Sequence, residues 1–272
     1  MNSRNNHSLK QLDIIYNKTS ESMTEIPSGS IDMMVTSPPY NIDIQYGNKT
    51  KKGKVIESKG KKYKDSLAEE EYRRLLSTVF KECQRVLKPN GSAWINIKNR
   101  LINEEVVPPF WLLDMFEDMH LRNIIIWNFD WGGSTSQRFC PRYEYVFWFT
   151  KSKKDYTFNL DDVKIPAVNY RPDRYKSQLK NPSDVWRIPM VSGNFLERTG
   201  HPAQYPEKLI ERIVLASTNK GDIVLDPFMG SGTTAVVAKY LGRHYIGYEI
   251  EKEYITMAER RIKGRLDTYD TL

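Results

Sequence analysis

Two apolar runs in this chain end in motifs that few folds can hold together, and they lie near opposite termini. Ile31-Asp32-Met33-Met34-Val35 runs into Thr36-Ser37-Pro38-Pro39-Tyr40, and Asp222–Leu225 runs into Asp226-Pro227-Phe228-Met229-Gly230-Ser231-Gly232-Thr233-Thr234. Short apolar runs closed by Pro or Gly read as buried strands ending in turns. An α/β sheet that cradles a nucleotide ordinarily carries its glycine turn on the first strand. Here the turn comes last, so motif order constrains the fold as much as motif content.

The rest of the chain alternates. Strands are predicted at 12–16, 31–35, 92–97, 122–130, 143–150, 222–225 and 245–248, and helices at 107–120, 207–218, 233–241 and 252–263. A further helix runs to Leu87 from a capping-box pattern, Ser66-Leu67-Ala68-Glu69, and Pro89-Asn90-Gly91 breaks it. Residues 44–64 read as a loop with lysines at 49, 51, 52, 54, 59, 61, 62 and 64. Residues 151–200 lose periodicity. Strand–helix alternation on both sides of that segment predicts an α/β class, doubly wound, mostly parallel sheet. One catalytic and cofactor-binding domain then spans 1–150 and 201–272, with 151–200 and the loop 44–65 forming a small irregular region.

The net charge of +7 and pI near 9.1 suit a polyanionic partner, nucleic acid first. Cys83 and Cys140 lack CxxC spacing, which excludes a disulfide framework or a structural zinc site and fits a reducing compartment. Four scattered histidines add no metal constellation. Met1–His7 is polar and no apolar run reaches bilayer-spanning length, so the expectation is a cytoplasmic protein.

Gly230-Ser231-Gly232-Thr233-Thr234-Ala235 lies between a strand and a helix, and Glu249 falls nineteen residues after Gly230, at the end of the next strand. Glycine lets a ligand approach the backbone, the helix N-terminus favours electronegative groups, and the later carboxylate accepts from ribose hydroxyls. This is the pattern of a nucleoside-cofactor site, with a tight packing turn as the alternative. A P-loop is excluded, because no Lys-Ser or Lys-Thr follows the second glycine. Gly-x-Gly-x-x-Ala satisfies dinucleotide spacing and keeps a nicotinamide oxidoreductase open. Against it, one strand–helix unit remains where a second nucleotide-binding half is needed, and Asp226 would face a pyrophosphate. A cationic ligand suits Asp226 better, such as the ammonium group of S-adenosylmethionine.

In Ser37-Pro38-Pro39-Tyr40 two prolines remove two backbone donors and leave carbonyl acceptors beside a hydroxyl and an aromatic face. Acceptors without competing donors suit the exocyclic amine of cytosine or adenine. Such a nitrogen is a poor nucleophile because its lone pair is delocalised into the ring. Hydrogen bonds accepted from its N–H groups draw it towards tetrahedral geometry, while Tyr40 stacks on the base. The alternative is a Pro-rich turn carrying a core tyrosine.

Together these residues resemble the β-class DNA amino-methyltransferases, S-adenosylmethionine enzymes of bacterial restriction–modification systems. The resemblance covers nearly the whole chain. Asp226–Thr233 is similar to the family's cofactor motif, and His201-Pro202-Ala203-Gln204-Tyr205-Pro206 to the motif that precedes it. Asn181-Pro182-Ser183-Asp184-Val185-Trp186 is similar to a segment upstream, and Arg138-Phe139-Cys140-Pro141-Arg142-Tyr143-Glu144-Tyr145 to the motif lining a flipped-base pocket. That resemblance implies a Rossmann-like methyltransferase sheet in circularly permuted order. It places Asp226, Phe228, Gly230, Gly232, Thr233, Glu249, His201 and Gln204 at the cofactor and Ser37, Pro38, Pro39 and Tyr40 at the reacting amine. Duplex DNA would meet Arg138, Phe139, Arg142, Lys51, Lys52, Lys61 and Lys62, with 151–200 and 44–65 reading the target sequence. Within the family Ser in the first motif position accompanies cytosine N4 and Asp adenine N6, so Ser37 directs the expectation to N4-cytosine. Adenine N6, or RNA as substrate, is the alternative. A cognate restriction endonuclease in the same system, without direct contact, and a monomer or homodimer are also implied.

Neither cysteine follows a proline as the thiolate of carbon-5 methylation would, so both are expected to be structural. Trp127 and Trp131 are expected in the core. A non-catalytic DNA-binding protein is a third reading.

Overall fold

Strands whose residues are apolar on both faces need cover on both sides. The computed structural model describes residues 9, 11–42, 65–131, 135–167, 178–192 and 195–269, and provides that cover. In chain order the strands are β1 (Ile14–Tyr16), β2 (Ile31–Thr36), β3 (Leu87–Ile97), β4 (Arg100–Ile102), β5 (Glu105–Val107), β6 (His120–Asn128), β7 (Tyr143–Thr150), β8 (Ile165–Pro166), β9 (Leu179–Lys180), β10 (Val185–Arg187), β11 (Ile223–Asp226) and β12 (His244–Tyr248). The helices are α1 (Glu69–Val86), α2 (Leu160–Val163), α3 (Glu207–Ser217), α4 (Thr233–Tyr240) and α5 (Lys252–Tyr269).

Eight strands form one sheet in the order β1-β12-β11-β2-β3-β7-β6-β10. All neighbours are parallel except β7, which runs antiparallel between β3 and β6. The last-encoded strands, β11 and β12, therefore sit between the two first-encoded ones, with β11 paired to β2 and β12 to β1. This is the doubly wound, mostly parallel sheet expected from strand–helix alternation, in the permuted order that the resemblance implies. Alternate residues serve opposite faces: Ala93, Ile95 and Phe147 meet Leu76, Phe80 and Phe116 on one side. Trp94, Val146 and Trp148 meet Leu209, Ile213 and Val214 of α3 and Val237 of α4 on the other. Trp94 and Trp148 are cross-strand partners whose rings stack at 4.8 Å and 9°.

Several expectations are corrected. The α-helix predicted at 107–120 is instead a 3-10 helix at Pro109–Phe116, preceded by the β4–β5 hairpin and followed by β6 from His120. Asn103 and Glu104 take φ of +49° and +67°, the left-handed pair that a tight hairpin turn requires. The capping box does not form, since Ala68 is the N-cap and no side chain caps the helix. Glu69 instead bonds Arg100 (2.7 Å) and Arg73 (2.6 Å), and those guanidiniums hold its carboxyl at about 2. Pro89-Asn90-Gly91 does not separate helix from strand. It lies inside β3, where the pairing with β2 slips from Ile31↔Leu87 to Met33↔Ser92. Trp127 is buried as expected, but Trp131 is 77% exposed.

The segment 151–200 carries α2 and the small β8–β9 hairpin, and then rejoins the main sheet through β10, parallel to β6. Lys51, Lys52, Lys61 and Lys62 lie outside the described residues. Among the described residues no helix is long and apolar enough to cross a membrane, and no cluster of His, Cys, Asp or Glu could hold a metal.

Candidate active site

Parallel strands deliver their following loops to one edge of the sheet, and open α/β sheets bind ligands there. At this edge the loops after β1, β2, β11 and β12 enclose a cavity of about 320 Å³. Its walls include Ser37, Pro38, Pro39 and Tyr40 from one motif and Phe228, Gly230, Thr233 and Glu249 from the other, with His201 and Gln204. Motifs nearly two hundred positions apart in sequence thus share one chamber.

The glycine turn is held from several sides. Glu249 accepts from the Gly230 amide (2.9 Å) and the Glu251 amide (2.8 Å), and burial raises its carboxyl to about 7. Arg261 of α5 donates to the Ser231 carbonyl (2.8 Å) and Thr233 Oγ1 (3.0 Å), and pairs with Glu207 (3.0 Å). Gly230 and Gly232 have φ of +53° and +81°, a region open to glycine. A Cβ on Gly230 would come within 3.0 Å of His201 Nε2, at the cavity wall. One on Gly232 would lie 2.4 Å from the Ala258 Cβ. Gly232 therefore serves the packing of α5 on the turn and does not line the cavity.

His201 is neutral, its pKa pulled to about 4 by burial and by the Arg261 charge. Its Nδ1 accepts from the Ala203 amide (3.2 Å), which leaves the proton on Nε2. Gln204 ties its own loop, accepting from Thr199 Oγ1 (2.8 Å) and donating to the Glu197 carbonyl (2.7 Å).

Asp226 departs from its expected place. It is fully buried and is not among the cavity-lining residues. Its Oδ1 accepts from Thr36 Oγ1 (2.7 Å) and the Phe228 amide (3.0 Å), and its Oδ2 from Tyr205 (2.9 Å) and Thr234 (2.6 Å). Burial raises its pKa against the pull of those donors. The carboxylate joins the end of β2, the start of α4 and the loop before α3, with its acceptor sites filled from within the protein.

The Ser-Pro-Pro-Tyr turn is equally fixed. Tyr72 of α1 donates to the Pro39 carbonyl (2.8 Å), which ties the turn to α1 and leaves the two expected acceptors, Ser37 Oγ and the Pro38 carbonyl, untouched by that bond. Tyr40 is buried, donates to Glu144 Oε2 (2.8 Å), and receives Asn96 Nδ2 (2.9 Å). Ser37 Oγ lies 2.7 Å from the Tyr40 oxygen. A phenol has one proton, so with Tyr40 donating to Glu144, Ser37 is the donor of that pair. Lys98 stands 5.1 Å over the Tyr40 ring.

Glu144, Tyr205 and Thr234 lie inside motifs singled out in the sequence but without roles of their own, and Asn96 lies outside every motif. Arg138 and Phe139 are exposed, Phe139 completely, and line neither this cavity nor a second one beside it. From the same motif the second cavity takes Pro141, Tyr143 and Glu144; Arg142 donates to the Pro141 carbonyl (3.1 Å). Cys83 is buried with its thiol pKa pushed up by burial, as a structural residue.

Comparison with known proteins agrees with this geometry. The chain is 39% identical to the type II methyltransferase M.BglII of Bacillus subtilis, over 95% of this chain and 71% of that one. It is 36% identical to the DNA adenine methyltransferase YhdJ of Escherichia coli strain K12, over 92% of this chain and 82% of that one. Among solved structures, that of an M1.HpyAVI–SAM complex matches with a TM-score of 0.57 at 26% identity, covering 86% of this chain and 89% of that one. The sequence profile of the N6/N4 DNA methylase family matches residues 31–260, and the chain belongs to that family.

Proposed function

We propose that this DNA methyltransferase modifies the N4 amine of a cytosine turned out of duplex DNA. The observation that carries the proposal is that Ser37 and Pro38 share one cavity with Glu249 and the glycine turn. The cofactor is S-adenosylmethionine, which supplies an electrophilic methyl group on a sulfonium. The residues fit it: Gly230 leaves room at the wall beside a neutral His201, and Glu249 stands ready to accept from ribose hydroxyls. Phe228, Thr233 and Gln204 complete that half of the cavity. Asp226 and Gly232 act behind the wall, by holding the turn in shape.

Ser37 Oγ and the Pro38 carbonyl are the acceptors assigned to the two amine protons. Because Ser37 spends its own proton on Tyr40, its oxygen is left as an acceptor, with Asn96 Nδ2 a distant donor at 3.5 Å. Ser37 is also the basis of the cytosine assignment, through the family resemblance. Adenine N6 is the second reading, favoured by the relative named as an adenine methyltransferase. Arg138, Phe139 and Arg142, the lysines at 51, 52, 61 and 62, and the segment 151–200 are assigned to DNA. The same reading places the enzyme in the cytoplasm, in a restriction–modification system with an endonuclease of shared target. The test is transfer of labelled methyl from S-adenosylmethionine to duplex DNA. Wild type should label DNA, and Ser37→Ala should fail to, with unchanged affinity for S-adenosylhomocysteine. Equal labelling by both would remove Ser37 from the chemistry.

A further inference from the structure

The amine nitrogen must lose a proton when it gains a methyl group, and a chain of hydrogen bonds leads away from it. Because β7 runs antiparallel to its neighbours, its first residues lie at the same sheet edge as the loops that follow the parallel strands. Glu144 stands there, 2.8 Å from the Tyr40 hydroxyl, which is 2.7 Å from Ser37 Oγ. Asn96 Nδ2 donates to both the Tyr40 oxygen (2.9 Å) and Glu144 Oε2 (2.6 Å). An ionised carboxylate only accepts, so Tyr40 is the donor of its bond to Glu144.

We infer that Glu144 is a positioning residue that keeps Ser37 an acceptor and receives the amine's proton through Tyr40. The inference rests on the amino-methylation proposed above. In the step, the amine lone pair forms the N–C bond while the S–C electron pair stays on sulfur. The cationic nitrogen then passes a proton to Ser37 Oγ, Ser37 passes its own to the Tyr40 oxygen, and Tyr40 passes its own to Glu144 Oε2. The products are a neutral methylated amine, a thioether, both hydroxyls restored and a neutral Glu144 carboxyl. Burial already pushes that carboxyl above the usual carboxylate range, against the bonds from Tyr40 and Asn96 and the charge of Lys98. Glu144 also lines the second cavity, which gives the proton an exit. Among the described residues the groups facing it are Tyr40, Asn96 and Lys98, with the mutually paired Arg100 and Glu69 across that cavity; on β6 its partner is the uncharged Trp127.

The experiment is single-turnover methyl transfer to duplex DNA across pH, with wild type, Glu144→Gln, Glu144→Asp, Tyr40→Phe and the Tyr40→Phe/Glu144→Gln double variant. Wild type should slow as pH falls through the Glu144 titration. Glu144→Gln should lose about 10–100-fold in rate and lose that pH limb, with cofactor and DNA affinities within about threefold. Glu144→Asp should recover part of the loss, and the double variant should be no slower than its worse parent. A readout independent of turnover is the carbon-13 signal of the Glu144 carboxyl, identified by its disappearance in Glu144→Gln. Its titration midpoint should rise in Tyr40→Phe, which removes a donor to the carboxylate. A Glu144→Gln rate within about threefold of wild type, multiplicative losses in the double variant, or an unmoved midpoint would overturn the inference. Absence of methyl transfer by wild type would instead sink the underlying reading.

Discussion

Lowering the pH from about 8 to about 6 carries Glu249 from ionised to protonated, because burial raises its carboxyl to about 7. The carboxylate already accepts the Gly230 and Glu251 amides, with a further backbone bond from Ile250, and it lines the cavity in which ribose hydroxyls would donate to it. A protonated carboxyl gives up part of that capacity. If only the ionised form binds, the apparent Kd scales as one plus ten to the power of pKa minus pH. The affinity then falls about tenfold between pH 8 and pH 6, and binding at pH 7 releases about half a proton. The sign for the free protein is opposite. A carboxyl raised from 4.5 to about 7 binds more protons folded than unfolded, so its contribution favours the fold at low pH and is lost as pH rises through that window. Titration calorimetry with S-adenosylhomocysteine, in buffers of different ionisation enthalpy, measures both the Kd and the proton release. Glu249→Gln should show neither the pH slope nor the release. A wild-type Kd that is flat across this range, or a slope that survives in Glu249→Gln, would refute the role given to this carboxylate.

The hub around Asp226 predicts that Asp226→Ala, which strands three hydroxyls and an amide, lowers unfolding stability by about 3–5 kcal/mol in urea, and Asp226→Asn by less than half of that. Gly232→Ala should cost about 2–4 kcal/mol in the same assay, since its φ is +81° and its new Cβ would meet Ala258 at 2.4 Å. Arg261→Met, which unties Ser231 and Thr233, should weaken S-adenosylhomocysteine about tenfold while the circular dichroism spectrum is kept. Arg138→Ala, at an exposed position, should leave cofactor binding unchanged and lower the salt slope of DNA affinity by about one.

Much of this was legible because the two motifs interrupt apolar runs with Pro and Gly, and such punctuation survives without tertiary context. Their meeting at one sheet edge follows from strand order alone. The misread stretch around Val107 shows the limit. Asn103-Glu104 is a weak turn signal beside Asn-Gly, and the apolar spacing of Pro109–Phe116 serves a 3-10 helix as well as an α-helix. Glu69 had a capping role available and lost it to Arg100, which arrives from β4. Glu144 and Asn96 were invisible as a pair, because the antiparallel register of β3 and β7 brings them together and no spacing encodes it. Asp226 stands out in the sequence, but its surroundings do not: its partners Thr36, Tyr205 and Thr234 come from three segments, and only the fold brings them together on one carboxylate.

The most direct test of the central claim is the identity of the methylated nucleoside. Duplex DNA treated with the enzyme and isotopically labelled S-adenosylmethionine, then digested to nucleosides and resolved by mass spectrometry, should carry the label in N4-methylcytosine, with none after Ser37→Ala. Label in N6-methyladenine would contradict the cytosine assignment carried by Ser37, and label in no nucleoside would contradict the amino-methyltransferase account.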